Sequence, residues 1–557
     1  MLSSPGSQHY TIRIIGFIFL CNSVAYVASG QVFSPNVQVD DGEPYIQYCP
    51  SIAIGPNDEL YVLYNCMREN GDIYFTKSYD GGRTWTRPNI RVSDDCIWEW
   101  MIPSCLEVDG EGILYACWGG DNRRDGDDND WDIYSTVSTD GGKTWSPNVR
   151  VNDDSEDNKY GPSMVLSPDH SLGIVWTDSR PYNDTDIYFA RSTDGGETWT
   201  DPNIRVDDGA YGEQRHPYIC ADEEGALYVG YAHRTHHNDV FHLYLVRSTD
   251  YGVTWSKPAF RIDDGGYADH SEISLKVGPN GDLYAAWWLF GGGKDNIVFT
   301  KSTDRGETWS GPIQVDHLPK GVWREDPDLV IGEDGTLYVA WTCWSVHGDG
   351  LPDVFFGMST DDGQTWTDPS IQINDVWRDS QLIPKIALGE DQIIYATWYD
   401  ARNRTQEDAT DIYFARTVPV LAYGEADVDS VAGGGNLDVT LTLINTTGVM
   451  HTADIWTGMA LLKGGMYYGV DPAFGPQTFF LAPYDTLSEY VTHEITEDFP
   501  FGEYEYWIKV DDEYPDYSHR TREVPRTHLF KDSFTFTVVE NLPSDHWIPR
   551  RSRSRNP

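Results

Sequence analysis

Basic residues are scarce in this chain. Lys and Arg number 40 against 88 Asp and Glu, a formal charge of −48. Such a surface repels nucleic acid and anionic lipid, which removes both from the list of partners. No Cys-x-x-Cys occurs, so a zinc ribbon or thioredoxin-type site is not expected. Helical periodicity is almost absent, and no apolar run reaches about 18 residues. The longest run, Ile14 to Leu20, follows Arg13 and precedes the small residues Ala28-Ser29-Gly30. That pattern reads as an export signal over residues 1–30 with cleavage near Gly30, leaving a secreted or periplasmic chain with no transmembrane segment. After cleavage seven cysteines remain. Cys49 and Cys66 flank one expected hairpin and Cys105 and Cys117 the next, and two readings stand beside each other: disulfides permitted by export, or small buried hydrophobes.

What the chain has in abundance is repetition. SYDGGRTW begins at Ser78, STDGGKTW at Ser138, STDGGETW at Ser192, STDYGVTW at Ser248, STDRGETW at Ser302 and STDDGQTW at Ser359. Each copy follows two alternating apolar runs, such as ELYVLY and DIYFTK, and precedes a third, such as NIRV. A further run beginning at or near Pro opens each unit. Four short strands per repeat of about 55 residues is the content of a propeller blade, which buries its faces only against neighbouring blades. Inner-strand runs occur seven times, but outer-strand runs following a phrase only six. The missing strand stands at the other end, where Asn36-Val37-Gln38-Val39-Asp40-Asp41 copies NVRVNDD at Asn148. The reading predicts a seven-bladed, all-β propeller over residues 31–418, its last blade completed by the N-terminal strand.

Within each phrase the Asp is expected to accept backbone N–H groups of a turn, Gly to permit positive φ, and Trp to fold back as an apolar plug. Asp80, Asp140, Asp194, Asp250, Asp304 and Asp361, with Trp85, Trp145, Trp199, Trp255, Trp309 and Trp366, are therefore read as structural clasps. The phrase S-x-D-x-G-x-T-W resembles the Asp box of the sialidase superfamily, the bacterial neuraminidase repeat. The resemblance implies a propeller that recognises glycans, as a sialidase-like exo-glycosidase or as a non-catalytic extracellular scaffold binding glycan or protein. Sialidases hold their substrate's carboxylate with three arginines, the first in an Arg-Ile-Pro sequence on an early inner strand. The matching stretches here, Tyr48-Cys49-Pro50 and Met101-Ile102-Pro103, lack it.

If the clasps mark one face, the loops of the other carry the varied residues, and a site is expected there. Glu325, Asp326 and Glu272 are the candidate catalytic carboxylates; Arg215, His216, His270, Arg324 and Trp323 are the candidate ligand contacts. Solvated charges lining a water-filled channel are the plainer reading of the same residues. No cofactor is assigned from the sequence. Calcium is the candidate cation, at the acidic segment Asp125 to Asp132, while the repeated pairs Asp40-Asp41, Asp94-Asp95, Asp153-Asp154, Asp207-Asp208 and Asp263-Asp264 read as strand-end turns. His233, His236 and His237 offer a second metal candidate. From Leu421 the repeat stops and about 120 residues of alternating runs follow. They are read as an immunoglobulin- or fibronectin-like sandwich over 421–540, followed by a disordered basic tail at 541–557.

Overall fold

The computed structural model describes residues 33–417, short loops excepted, and strands lying between 420 and 539. The export segment, Trp98-Glu99-Trp100, Met101-Ile102-Pro103, most of the Asp125 to Asp132 candidate, His237 and the basic tail lie outside the described residues. Among those described, no helix is long and apolar enough to cross a membrane.

Residues 33–417 form seven four-stranded antiparallel sheets. Six are built in chain order. Blade 1, for example, runs Gln47–Ile54, Leu60–Cys66, Asp72–Ser78 and Ile90–Arg91. The seventh is Gln381–Leu388, Ile394–Asp400 and Asp411–Arg416, and its outer strand is the N-terminal Val37–Gln38. Val37 pairs with Phe414 and Gln38 with Tyr413. Phe33 anchors this segment further: it is fully buried and lies edge-on to Phe356 of blade 6, ring centres 5.2 Å apart. The closure expected from the repeat count is thus present, and it satisfies an edge that would otherwise be open to strand addition.

The core is a set of apolar layers between neighbouring blades, one at each junction. Every second strand sends a large aromatic into such a layer at the same step: Tyr64, Trp118, Trp176, Tyr231, Trp287, Trp341 and Trp398, none more than 1% exposed. The second strand is flanked on both edges and packed on both faces, so its sequence reads almost entirely apolar.

The repeated phrase is the outer lock of these layers. In each copy the Ser hydroxyl donates to the Asp, and the Asp accepts both the N–H and the hydroxyl of the Thr four residues on; in the third copy these distances are 2.7, 2.9 and 2.5 Å. The Ser hydroxyl also accepts the N–H of the fifth-position Gly, at 2.8 Å in that copy. This Gly has positive φ and lies flush against the preceding blade. A Cβ on Gly142 would stand 2.1 Å from Phe75, and one on Gly82 2.0 Å from Phe414. Trp145 and Trp85 meet the same phenylalanines edge-on at 5.4 and 5.3 Å. The phrase therefore ties blade to blade as well as closing a hairpin.

The acidic pairs are strand-end caps. Oδ2 of Asp40, Asp207 and Asp263 accepts the N–H of Ile412, Ile187 and Leu243, at the head of a third strand, at 2.6 to 3.1 Å. Asp41, Asp94 and Asp153 accept the N–H of Asn89, Asn148 and Asn203 in the next blade, at 3.1, 2.8 and 2.8 Å. Five of the six described cysteines are buried, and Cys105 is half-buried. Cys105 and Cys117 stand directly opposite one another across their hairpin, whereas Cys66 faces Gln47 rather than Cys49.

Beyond the propeller the strands form two more sheets. One joins Val420–Ala426, Asn436–Asn445 and Thr486–Glu494. The other has six strands centred on Gly502–Asp511 and His451–Lys463.

Candidate functional site

Six inner strands carry the same irregularity. In each, one extra residue interrupts the pairing with the second strand, as between Tyr160 and Ser163, Arg215 and Tyr218, Ser271 and Ser274, and Glu325 and Asp328. The inserted residue has left-handed backbone: Cys49 (φ 48°), Gly161 (63°), His216 (53°), Glu272 (54°), Asp326 (55°) and Ile383 (50°). Such bulges re-aim side chains, and strained non-glycine positions of this kind concentrate at functional sites. Five of the six precede a proline, as in Cys49-Pro50 and Asp326-Pro327. The proline disfavours helical backbone at the residue before it and marks the bulge in the sequence.

The bulges gather His216, Glu272 and Asp326, from blades 4, 5 and 6, at the propeller axis. The backbone N–H of Asp326 donates to Glu272 Oε2 at 2.8 Å, so the bulge of one blade is hydrogen-bonded to the carboxylate of the next. Both carboxyls keep some accessible surface, yet the chain packed around them makes desolvation the largest influence on each. Burial, with the charge of Glu325 adding to it, pushes Glu272 up to about 7. Burial and then the charges of Glu272 and Glu325 push Asp326 well above the usual carboxylate range. Two neighbouring carboxyls that cannot both ionise retain a proton at neutral pH. Glu325, beside them in sequence, is raised by burial while Trp344 Nε1 donates to its Oε1 at 2.6 Å and favours the charged form. His216 keeps an exposed surface, but the chain crowded around it and then the charge of Arg215 lower it to about 4, so it is a neutral imidazole at neutral pH. Arg215 lies over the Phe241 ring at 3.7 Å and Arg234 over the same ring at 4.4 Å, with Glu213 Oε1 3.6 Å from the NH1 of Arg215. Lys385 pairs with Asp328 at 3.6 Å, and its charge also lowers Glu272 and Asp326.

Two residues expected at the funnel stand elsewhere. The Arg324 side chain is 2% exposed and is bonded to the fully buried Asp316 at 2.7 Å and to the carbonyls of Val322, Leu318 and Pro319. It is a joint between blades, with no capacity left for a ligand. His270 is fully buried on the other side of its strand from the channel; Trp287 Nε1 donates to its Nδ1 at 3.0 Å. Trp323 does stand on the open face, 57% exposed and edge-on to Trp288 at 6.2 Å.

His270 also belongs to the one group of His and Asp residues among those described whose geometry suits a metal: His242, Asp263 and His270, with ligand atoms within 4.8 Å of one another. The donor set does not fit. An indole N–H only donates, so Nδ1 of His270 must accept, and the proton of the neutral ring then sits on Nε2, the atom that faces Asp263 at 3.9 Å. Arg261 already occupies Asp263 Oδ1 at 3.0 Å and His242 Nδ1 at 2.7 Å. His237 of the second metal candidate lies outside the described residues; among those described, His233 and His236 belong to no metal-suited group, and Nε2 of His233 lies 3.2 Å from the carbonyl of Tyr211. On the opposite, clasp face a cavity of about 430 Å³ is lined by Phe299, Lys301 and Trp309. Its lysine is already paired to Asp282 and Asp362 at 2.9 and 2.6 Å.

The structure brings together the three carboxyls named from the sequence, whose orienting bulges, like Trp344, Trp288 and Phe241, the sequence pattern did not single out. Prolines at the bulges were the available signal for the former; nothing local marks the latter, which are second-strand and loop residues brought in by pairing.

Comparison with known proteins places residues 112–312 in a match to the BNR repeat-like domain. A sialidase of Clostridium perfringens is 26% identical over 194 residues, covering 30% of this chain and 47% of that protein, so the chain spans about half the length of this curated relative. Among solved structures, a Dyadobacter fermentans protein of unknown function superposes with a TM-score of 0.44 at 16% identity, covering 70% of this chain and 99% of that one. A polysaccharide lyase, an ulvan lyase bound to a glucuronate–sulfated rhamnose unit, gives 0.48 at 12% identity, covering 70% and 94%. A Hadza microbial sialidase gives 0.40 at 15%, covering 64% and 73%.

Proposed function

From the premise that the chain is a sialidase-like β-propeller of BNR repeats, we propose that it recognises glycans at the face bearing its inner-strand bulges and cleaves a glycosidic bond there. The observation that carries the proposal is the Glu272–Asp326 contact. Two carboxyls on adjacent strained bulges retain a proton at neutral pH beside Glu325, a carboxyl that burial raises and whose ionised form the Trp344 N–H favours. A protonated acid and an ionised carboxylate are the pair that glycoside cleavage requires: the acid protonates the departing oxygen while the carboxylate stabilises or attacks the anomeric carbon, or activates water against it. In this reading Glu272 and Asp326 together supply the acid, and Glu325, hydrogen-bonded by Trp344, is the carboxyl that acts in its ionised form.

The Clostridium perfringens sialidase supports a sugar as the ligand class. The stretch where the resemblance would place the first substrate arginine holds Tyr48, which is 8% exposed. We propose further that the chain is exported, and that the strands between 420 and 539 form an immunoglobulin- or fibronectin-like sandwich serving as a second module. A non-catalytic scaffold is the second reading, and the missing arginine is the observation that favours it.

Turnover of a panel of aryl glycosides, sialosides included, decides between them. The enzyme reading expects hydrolysis that falls at least 100-fold in both Glu272→Gln and Glu325→Gln with folding intact. Activity unchanged in both variants removes this site. Sugar binding without any turnover leaves the scaffold.

A further inference from the structure

The ordinary expectation for a sialidase-like propeller is an acidic sugar held by arginines. The charges around the bulges do not suit one. Glu272, Asp326, Glu325 and Asp295 form an acidic cluster; Asp295 Oδ1 accepts the N–H of Arg324 and the indole N–H of Trp288, each at 3.1 Å. The arginines nearby are committed. Arg324 is buried against Asp316, and Arg234 is paired to Glu213 through Nε at 2.8 Å and NH2 at 2.5 Å. Arg215 stacks on Phe241 and shares the same glutamate. An anionic ring would meet four acidic groups offset only by Arg215, which it would share with Glu213, and by Lys385, which pairs with Asp328, a mismatch that selects against it.

The same face offers apolar surface in a form that suits hydroxyl-rich rings. Trp323 is 57% exposed and immediately precedes the inner strand carrying Glu325 and Asp326. It is held edge-on to Trp288, which stacks on Phe290 with ring centres 4.0 Å apart. Tyr267 and Tyr211 are 96% and 73% exposed, at matching places in the Asp-Asp-Gly-x-Tyr sequences that lead into blades 5 and 4. Each of blades 4, 5 and 6 therefore presents one aromatic ring beside the strand that carries its axial bulge. Large exposed aromatics repeated on three successive blades, each at the start of a site-bearing strand, suit a binding surface. The C–H face of a pyranose or furanose, slightly positive, packs on the negative face of an indole or phenol.

We infer that the ligand is a neutral glycan of several sugar units, one ring stacked on Trp323 and its neighbour reaching the Glu272–Asp326–Glu325 carboxylates. The inference rests on the glycan reading above and fixes its substrate class. Trp323 is a specificity determinant in it rather than a catalytic residue.

The test is isothermal titration, with intrinsic tryptophan fluorescence alongside, of the full chain. The probes are neutral xylo-, arabino-, gluco- and galacto-pentasaccharides, with 3′-sialyllactose and a galacturonate pentasaccharide as acidic comparisons. At least one neutral pentasaccharide is expected to bind at least tenfold more tightly than either acidic probe. Trp323→Ala, at an exposed position that leaves the fold intact, should weaken that binding at least tenfold, and Trp323→Phe should retain most of it. Tighter binding of an acidic probe, or an unchanged Kd in Trp323→Ala, overturns this inference and leaves the glycan reading standing. Binding of none of the sugars overturns both.

Discussion

Glu272 Oε2 and the backbone N–H of Asp326 are 2.8 Å apart across the boundary between blades 5 and 6. The contact makes the ionisation of one carboxyl part of the environment of the next. The folded-state value of Glu272, about 7, lies above its ordinary 4.5, so the folded protein binds a proton that the unfolded chain has released between those values. Stability must then fall as pH rises from about 4.5 to about 7. Glu272→Gln removes this slope. We expect the drop in Tm across that window to shrink by at least ~2 °C in the variant. Differential scanning calorimetry at half-unit pH steps measures it, and parallel curves for the two proteins would refute the assignment.

The clasp aspartates act with the opposite sign. Hydrogen bonds from the N–H and hydroxyl of Thr144 lower Asp140 to about 2, against an ordinary 3.8. A depressed folded-state value gives stability that is complete above about 4 and is lost as pH falls through about 2. Asp140→Asn should therefore lose some stability at neutral pH and lose less than the native protein on acidification. Asp194 is exposed, so water replaces part of what Asp194→Ala removes, and the cost is about 1 kcal/mol. Glycan turnover or binding per folded molecule should be unchanged. A stable Asp194→Ala variant without function would make the phrase a catalytic element after all.

Closure of the ring by residues at the two ends of the propeller gives a third expectation. Deleting residues 31–42 removes the pairing of Val37 with Phe414, the cap Asp40 places on Ile412, and Phe33 from the blade 6–7 layer. Tm should fall by more than 10 °C, or the chain should not fold. Phe33→Ala alone should cost about 3–5 kcal/mol, the usual range for a buried phenylalanine. Chemical denaturation of the single variant checks the packing separately from the pairing.

These particulars show what a linear pattern conveys. The blade count and the closing strand were legible because each blade repeats the same alternation, and a missing outer strand at one end matched an extra one at the other. The clasp was legible because Ser, Asp, Gly, Thr and Trp each answer a local demand of one turn. The orientation of the site residues was not. Strict alternation puts Arg324 and Asp326, or His270 and Glu272, on one face, whereas the inserted left-handed residue re-aims the second of each pair towards the axis and leaves the first in the blade junction. The sandwich expected after the propeller shows in the sequence as alternation alone; the two sheets formed there do not repeat, so nothing in the chain counts them.

The misplaced arginine supplies the sharpest separation of scaffold from site. Arg324 and Asp316 form a pair whose side chains are 2% and 0% exposed, and removal of one partner strands the other's charge in the blade junction. Arg324→Met should cost about 3–5 kcal/mol. Arg215 also lies near the carboxylates, but its side chain is 30% exposed and its guanidinium rests on a ring rather than in a closed ion pair. Arg215→Met keeps the contact with Phe241 and should shift Tm by no more than ~2 °C. It should nevertheless alter sugar binding or turnover several-fold, because that guanidinium supplies positive charge close to Glu272. Thermal melts and ligand titrations of the two variants side by side measure both quantities. A large loss of stability in Arg215→Met, or a fully stable Arg324→Met with altered binding, would reverse the roles assigned to the two arginines.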